Sequence, residues 1–386
     1  MSRLKKKILN KKKIVFITGT RAEYGKLKPV IKLCQSIKNF NTYIFVTGMH
    51  TLSKYGNTYT HVIRENKKLS TIYLSKRKNN SNYQDHILSE TIISFSKFIN
   101  KIKPHLIVIH GDRIEAFAAA ISGSLNNFLV LHIEGGEVSG TIDEHMRHSI
   151  SKLSHIHFVA NNEAKKILIQ MGEQKKKVFV TGSPDLDVMI SKDLPSIKEV
   201  KKRYRINYHN YSVGILHPVT TELHQVKRMV KSFCNILNKS KKNYVLIYPN
   251  NDPGNDIIIK EIKNTTKKNK KLIFIKSMRF EYFLTLLKNS NFIIGNSSAG
   301  IREAPFYGIP TIDLGNRQKH RSRQKSIKNF NFEEEKILNY IKKLNFKFKK
   351  NNFFGKGSSV KIMNKILLTK DFWNTKIQKY FVKDNN

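Results

Sequence analysis

The sequence is poor in acidic residues, in cysteine and in long apolar runs. Its 386 residues carry 28 Asp and Glu against 71 Lys and Arg, a formal charge of +43. Two cysteines, Cys34 and Cys234, lie far apart in the chain. They provide neither a disulfide framework nor metal-ligand spacing, which suits a reducing cytoplasm. After a basic start, Met1 to Lys13, the apolar run Ile14 to Ile17 is too short for a signal core or a membrane span. No other run approaches spanning length. A cytoplasmic protein without a membrane partner is expected. No motif for a metal or a nicotinamide is present, so no cofactor and no metal are expected.

A field of +43 attracts polyanions. Nucleic-acid modules gather their Lys and Arg on one face or arm. Here lysines are spread through nearly every segment among Asn and Ile, and no aromatic RNA-binding pattern accompanies them. The charge therefore reads as a solvated basic surface, with no specific nucleic-acid partner. A polyanion-binding protein remains the competing reading from another class. It predicts salt-sensitive affinity for strands.

What the chain does have is an alternation of short apolar strands with helical patterns. Ile14–Thr18, Tyr43–Gly48, Leu106–His110, Phe128–Ile133 and Ile156–Val159 are strand candidates, each running into small or polar residues. After a charged, turn-rich stretch around Asp185 to Asn210 the alternation restarts. Tyr211–Leu216, Asn243–Tyr248, Leu272–Ile275, Phe292–Ile294 and Thr311–Leu314 follow. Continuous apolar strands between helices imply buried parallel sheets. The expected fold is α/β, two doubly wound Rossmann-like domains facing a cleft. Their expected extents are 1–188 and 189–358, with a helical tail, 359–386, packing back on the first. Ligands of such sheets bind at the strands' C-terminal ends.

Those ends carry the unusual chemistry. His110-Gly-Asp-Arg113 closes one strand, and Asp112 there is either a helix cap or a functional carboxylate. Glu134 follows an apolar strand directly and precedes Gly135-Gly136. Partial desolvation is expected to raise its pKa, which suits a general acid or base. Asp143 and Arg147, four apart in an expected helix from Thr141 to Leu153, are expected to form a charge pair. In Gly19-Thr-Arg-Ala-Glu-Tyr-Gly25, a strand-to-helix turn offers Arg21 and Lys26 to a diphosphate. His217 stands right after a strand, at the ligand edge. Ser297 and Ser298, with the amides of Ala299 and Gly300, can cradle phosphate, and Glu303, one turn into the next helix, can accept from ribose hydroxyls. Phe280, Tyr282 and Phe283 read as core rather than as a stacking surface for a base.

Taken together, Thr20–Gly25, His110–Arg113, His132–Asp143, Arg147-His148, His217–Thr220 and Gly295–Ser298 resemble the hydrolysing UDP-N-acetylglucosamine 2-epimerases, from about Lys13 to Arg323. The resemblance implies the glycosyltransferase-B fold, a sugar-nucleotide substrate and a homodimer. It places acid/base carboxylates at Asp112, Glu134 and Asp143 with Arg147 beside them, and nucleotide contacts at Arg21, Arg113, His217, Asn250, Ser297, Ser298, Glu303 and Arg317. We count His217 with the catalytic groups as well. Gly25 stands where some members have serine, which removes one phosphate contact.

The implied reaction converts a UDP-N-acetylglucosamine-type nucleotide to free N-acetylmannosamine-type sugar and nucleoside diphosphate, for sialic-acid-like sugars. The C2 proton is not next to a carbonyl, so the implied route is elimination of the nucleotide followed by hydration. That route needs acid/base groups on different faces and stabilisation of the leaving diphosphate. The same reaction on UDP- or GDP-N,N'-diacetylbacillosamine, in a legionaminic-acid pathway, is the alternative. A glycosyltransferase of this fold would instead need an acceptor site and no set of proton donors.

Overall fold

Apolar, largely β-branched and aromatic segments form two separate parallel sheets. The computed structural model describes residues 11–66, 72–76, 83–321, 324–344, 346–380 and 382. The first sheet comprises β1 (Lys12–Thr18), β2 (Phe40–Val46), β3 (Ile72–Leu74), β4 (Leu106–His110), β5 (Val130–Ile133), β6 (Ile156–Val159) and β7 (Val178–Val180). Its seven strands lie in the order β3-β2-β1-β4-β5-β6-β7. The second comprises β8 (Ser212–Ile215), β9 (Tyr244–Ile247), β10 (Leu272–Ile275), β11 (Ile293–Gly295), β12 (Thr311–Leu314) and β13 (Ile327–Phe330). Its six run β10-β9-β8-β11-β12-β13.

The strands are apolar throughout because both faces of each sheet are covered. Ile14 and Phe16 of β1 enter one core with Leu106 and Val108, while Val15 and Ile17 enter the opposite core with Ile107 and Ile109. That alternation is the pleat of a strand buried on both sides. In each sheet the order reverses beside the first strand, between β1 and β4 and between β8 and β11. A crevice at the strands' C-terminal ends opens at each reversal. The two crevices face each other.

Three strands were not expected from the sequence: β3, β7 and β13. Each ends its sheet or lies at its edge, and each is three or four residues long. Edge strands need no continuous apolar run. The basic residues 1–10 lie outside the described residues.

The C-terminal segment returns to the first sheet. The helix Ser359–Leu367 brings Met363 and Leu367, and the turn Lys370–Trp373 brings Phe372, into the core that holds Ile14 and Phe16. The helical tail expected over 359–386 is helical only as far as Trp373 among the described residues, and 381 and 383–386 lie outside them. Beyond Trp373, Lys379 docks the segment, along with contacts of His155 to Ile377 O and of Lys177 to Thr375 Oγ1. Lys379 Nζ donates to the carbonyls of Ser151, Lys152 and Ser154, at 3.1, 2.8 and 2.7 Å. These close the helix Ile142–Leu153, which carries Asp143 and Arg147. A cation at a helix C-terminus is favoured by the helix dipole.

Lys379 also lies 2.7 Å from the buried Glu173, which accepts from His157 Nε2 at 2.9 Å. Burial alone would raise the Glu173 pKa, but His157 and Lys379 outweigh it and hold it at about 2. A carboxylate depressed below its unfolded value of about 4.3 contributes stability that is complete above that value and lost as pH falls toward 2. Glu173→Gln is therefore expected to lower the melting temperature at pH 7 by the loss of about 2 kcal/mol. It should also shrink the difference between melts at pH 7 and at about pH 3, inside the window where this contribution is lost. An unchanged melt at both would show that the cluster contributes nothing.

Candidate active site

Every side chain nominated from the sequence for catalysis or binding lines one cleft of about 310 Å³ between the two sheets, whereas the nominated Gly300 amide instead donates to Ser297 O at 3.0 Å. From β1 the chain turns into the helix Arg21–Ser36, whose cap Thr20 accepts from the amide of Glu23. Arg21 stands at that N-terminus, and its Nε is buried without a hydrogen-bond partner among the described residues. A cation at a helix start, with free amides behind it, is built for an anion. Gly25 marks a close approach between the domains. A Cβ there would lie 2.3 Å from the Cβ of Phe280, which crosses from the second domain. Phe280 and Phe283 are buried as expected and also form part of the cleft wall.

From β4 come His110, Asp112 and Arg113. Asp112 is not a helix cap, because Arg113 occupies that position in front of Ile114–Leu125. Arg113 is held by Glu115 at 3.2 Å and reaches across the cleft to Asn251 at 2.8 Å. Glu134 follows β5 in the left-handed backbone region, φ 66°. The neighbouring His132 is scaffold: it is fully buried and joins Gly111 O at 2.8 Å to Ser151 Oγ at 3.0 Å. Burial depresses its pKa to about 3, so it stays neutral.

Two expectations about these carboxylates are overturned. Asp143 and Arg147 share the helix Ile142–Leu153 but do not pair. Arg147 contacts Asp112 and donates to Glu137 O at 3.0 Å, whereas Asp143 is 3.1 Å from Arg317 of the second domain. Burial and the charges of Arg321, Arg302 and Arg317 push the Arg147 pKa well below its ordinary value, and Asp112 is the anion in contact with it. Glu134 is not raised in pKa. Burial pushes it up, but Arg302 at 2.6 Å and His110, 3.2 Å away, hold it well below the usual carboxylate range. Each nominated carboxylate thus faces its own arginine: Asp112 Arg147, Glu134 Arg302, and Asp143 Arg317.

Lys26, nominated for the diphosphate, lies 2.8 Å from Glu303 and 3.2 Å from Asp185. Its charge is already matched within the protein. Glu303 begins its short helix rather than sitting one turn inside it.

The second domain contributes its two switch-point loops. His217 follows β8; its amide donates to Asn296 Oδ1 at 2.7 Å, and its Nδ1 accepts from the Asn250 amide at 3.1 Å. The same Nδ1 lies 3.2 Å from Asn250 Oδ1, so Asn250 fixes the ring's orientation. Burial and Arg317 push the imidazole pKa well below its ordinary value. His217 is thereby a neutral hydrogen-bond donor rather than a proton shuttle. After β11, Ser297 Oγ accepts from the Ala299 amide at 3.3 Å, beside Ser298 at the cleft surface. Arg317 donates to Asn296 O at 3.3 Å as well as facing Asp143.

Sequence reading missed Arg302, Glu137, Asp185 and Arg321. Arg302 is buried in the acidic side of the first domain, bidentate to Glu137 at 2.5 and 2.7 Å. Arg321 meets the same Glu137 at 3.2 Å. Among the described residues no group of His, Cys, Asp and Glu is arranged to hold a metal, and no helix is long and apolar enough to cross a membrane.

A three-carboxylate, arginine-matched cleft at two switch points has the groups that proton transfer on an anionic ligand requires. The sequence matches the profile of the UDP-N-acetylglucosamine 2-epimerases over residues 32–368. The chain belongs to the UDP-N-acetylglucosamine 2-epimerase family. A UDP-N-acetylglucosamine 2-epimerase of Neisseria meningitidis serogroup B is 44% identical over 97% of this chain and 100% of its own length. A hydrolysing UDP-N,N'-diacetylbacillosamine 2-epimerase of Legionella pneumophila is 31% identical, over 93% and 96%. The fold is that of the Methanocaldococcus jannaschii UDP-GlcNAc 2-epimerase solved with UDP-GlcNAc and UDP. The superposition has a TM-score of 0.77 at 22% identity and covers 92% of this chain and 99% of the other.

Proposed function

We propose that this family member is a hydrolysing 2-epimerase: it releases a free N-acetylmannosamine-type sugar and nucleoside diphosphate from a UDP-N-acetylglucosamine-type nucleotide. The observation that carries the reading is the matching of three carboxylates to three arginines at one end of the cleft, beside the helix start at Arg21. The sugar lies among the carboxylates and the diphosphate between Arg21, Arg113 and the Ser297-Ser298 loop. As the C1–O bond to the diphosphate breaks, its electrons leave with the nucleotide, and positive charge grows at C1. An ionised carboxylate takes the C2 proton, the C2–H electrons forming the C1=C2 bond of a glycal. C2 then receives a proton from a carboxylic acid on the other face, water adds its oxygen at C1, and the proton water loses passes to the carboxylate so formed. Asp112, Glu134 and Asp143 are the proton-transfer groups, and the neutral His217 ring holds the substrate in place by hydrogen bonding. The arginines and the helix start stabilise the departing charge.

The test is incubation with UDP-N-acetylglucosamine in D2O without any acceptor. Free N-acetylmannosamine carrying deuterium at C2, with one UDP per sugar, is the expected result. A UDP-linked epimer with no free sugar would sink the hydrolytic step, and free sugar without label would sink the elimination. The Legionella relative supports running N,N'-diacetylbacillosamine nucleotides alongside. These sugars differ at C4 and C6, and comparison of kcat/KM assigns the substrate.

A further inference from the structure

Arg302 is the most heavily committed side chain in the cleft, yet it belongs to the opposite domain from every acid it meets. It follows the small-residue loop after β11, and its guanidinium is 2% exposed. Besides the two bonds to Glu137, it donates to Glu134 Oε1 at 2.6 Å and contacts Ser183 Oγ, which itself contacts the same Glu134 oxygen. Asp185 is 3.6 Å from Nε, and the ring of Phe354 lies 4.4 Å from the guanidinium carbon. One planar cation is thus held through both terminal nitrogens and on one face, with Asp185 facing Nε beyond hydrogen-bond distance.

We propose that Arg302 is a positioning residue for the reaction: it holds the Glu134 carboxylate charged and aimed into the cleft, and does not itself bind the sugar. The inference rests on the reading of Glu134 as a proton-transfer group. A planar five-donor fork can grip two carboxylates in fixed directions, which an ammonium cannot. Glu134 Oε1 is pinned by Arg302 and Ser183, so the remaining freedom of the carboxylate is set by a residue of the second domain.

The other groups around the pair do not replace Arg302. Glu134 also faces His110 at 3.2 Å, and feels Lys26 at longer range. Lys26 is already shared between Asp185 and Glu303, and Arg321 reaches only Glu137. Without Arg302, the carboxylates of Glu134, Glu137 and Asp185 are left close together in a buried space. Burial and mutual repulsion then favour the protonated forms.

Arg302→Met and Arg302→Lys test this, read against wild type. For Arg302→Met, kcat is expected to fall about tenfold at the optimum, and the acidic limb of its pH profile to rise by about one unit or more. KM and UDP affinity should stay near wild type. Arg302→Lys should restore much of the acidic limb, because it returns the charge, and less of kcat, because it cannot grip both acids. Infrared difference spectra between each protein and its Glu134→Gln form read the Glu134 proton without turnover. The carboxylate band should persist at mildly acid pH in wild type and be lost in Arg302→Met. A limb and a carboxylate band unmoved in both variants would overturn the proposal. If Glu134→Gln alone kept full turnover, the catalytic role of Glu134 would fall, while the infrared comparison would still decide whether Arg302 holds its charge.

Discussion

Glu134→Gln is expected to lower turnover about 1,000-fold while UDP still binds with near wild-type affinity. Glutamine preserves the shape of the side chain and can keep the contact with Ser183, but it cannot take a proton. Arg302 retains Glu137 and Asp185, so the second domain stays anchored to the first. The nucleotide groups lie elsewhere in the cleft, at Arg21, Arg113 and the Ser297 loop. The separation of kcat from nucleotide affinity is what distinguishes lost proton transfer from lost structure. Steady-state kinetics and UDP titration calorimetry on one preparation measure both. A variant that turns over within a few-fold of wild type would leave Asp112 and Asp143 as the only proton carriers. A variant that no longer binds UDP would make Glu134 a structural residue.

The groups that make this test possible were readable as positions, and their partnerships were not. Strands buried on both faces produce continuous apolar runs, so β1, β4, β6 and β12 were located closely, and the polar residues that follow β4, β5 and β8 marked the ligand edge. Edge strands lack that signal, and β3, β7 and β13 went unseen. Pairing is harder, since sequence spacing registers only near neighbours. Asp143 and Arg147 are four apart and invite a helical pair, but Arg317, 174 positions away, meets Asp143 instead. Glu134 follows an apolar strand and invites a raised pKa, but Arg302, 168 positions away, reverses the shift. The glycine loop holds Glu134 and Glu137 with no nearby base to match them. That local surplus of acid was the only sequence signal that a cation must arrive from elsewhere.

Because two of the three carboxylate–arginine pairs join different domains, a change that only loosens the join should cost activity without unfolding either half. Gly140 is the place to make it. Its amide donates to Arg317 O at 3.2 Å, and a Cβ there would lie 2.0 Å from Asn316 O. Unlike Gly136, with φ at 76°, it does not adopt the left-handed backbone region, so alanine fits the local chain. The overlap is with the other domain, and relieving it requires the two loops to part by about 1 Å, a displacement that can lower turnover about 100-fold. The loop that must retreat carries Arg317, and the loop that pushes it leads into the helix of Asp143. Gly140→Ala is therefore expected to reduce kcat/KM about 100-fold, with the melting temperature within about 2 °C of wild type because both cores are untouched. Kinetics and a thermal melt on the same sample check it. Full activity would show that turnover tolerates a wider cleft and does not need the Asp143–Arg317 contact. A large fall in melting temperature would instead make the join a determinant of stability.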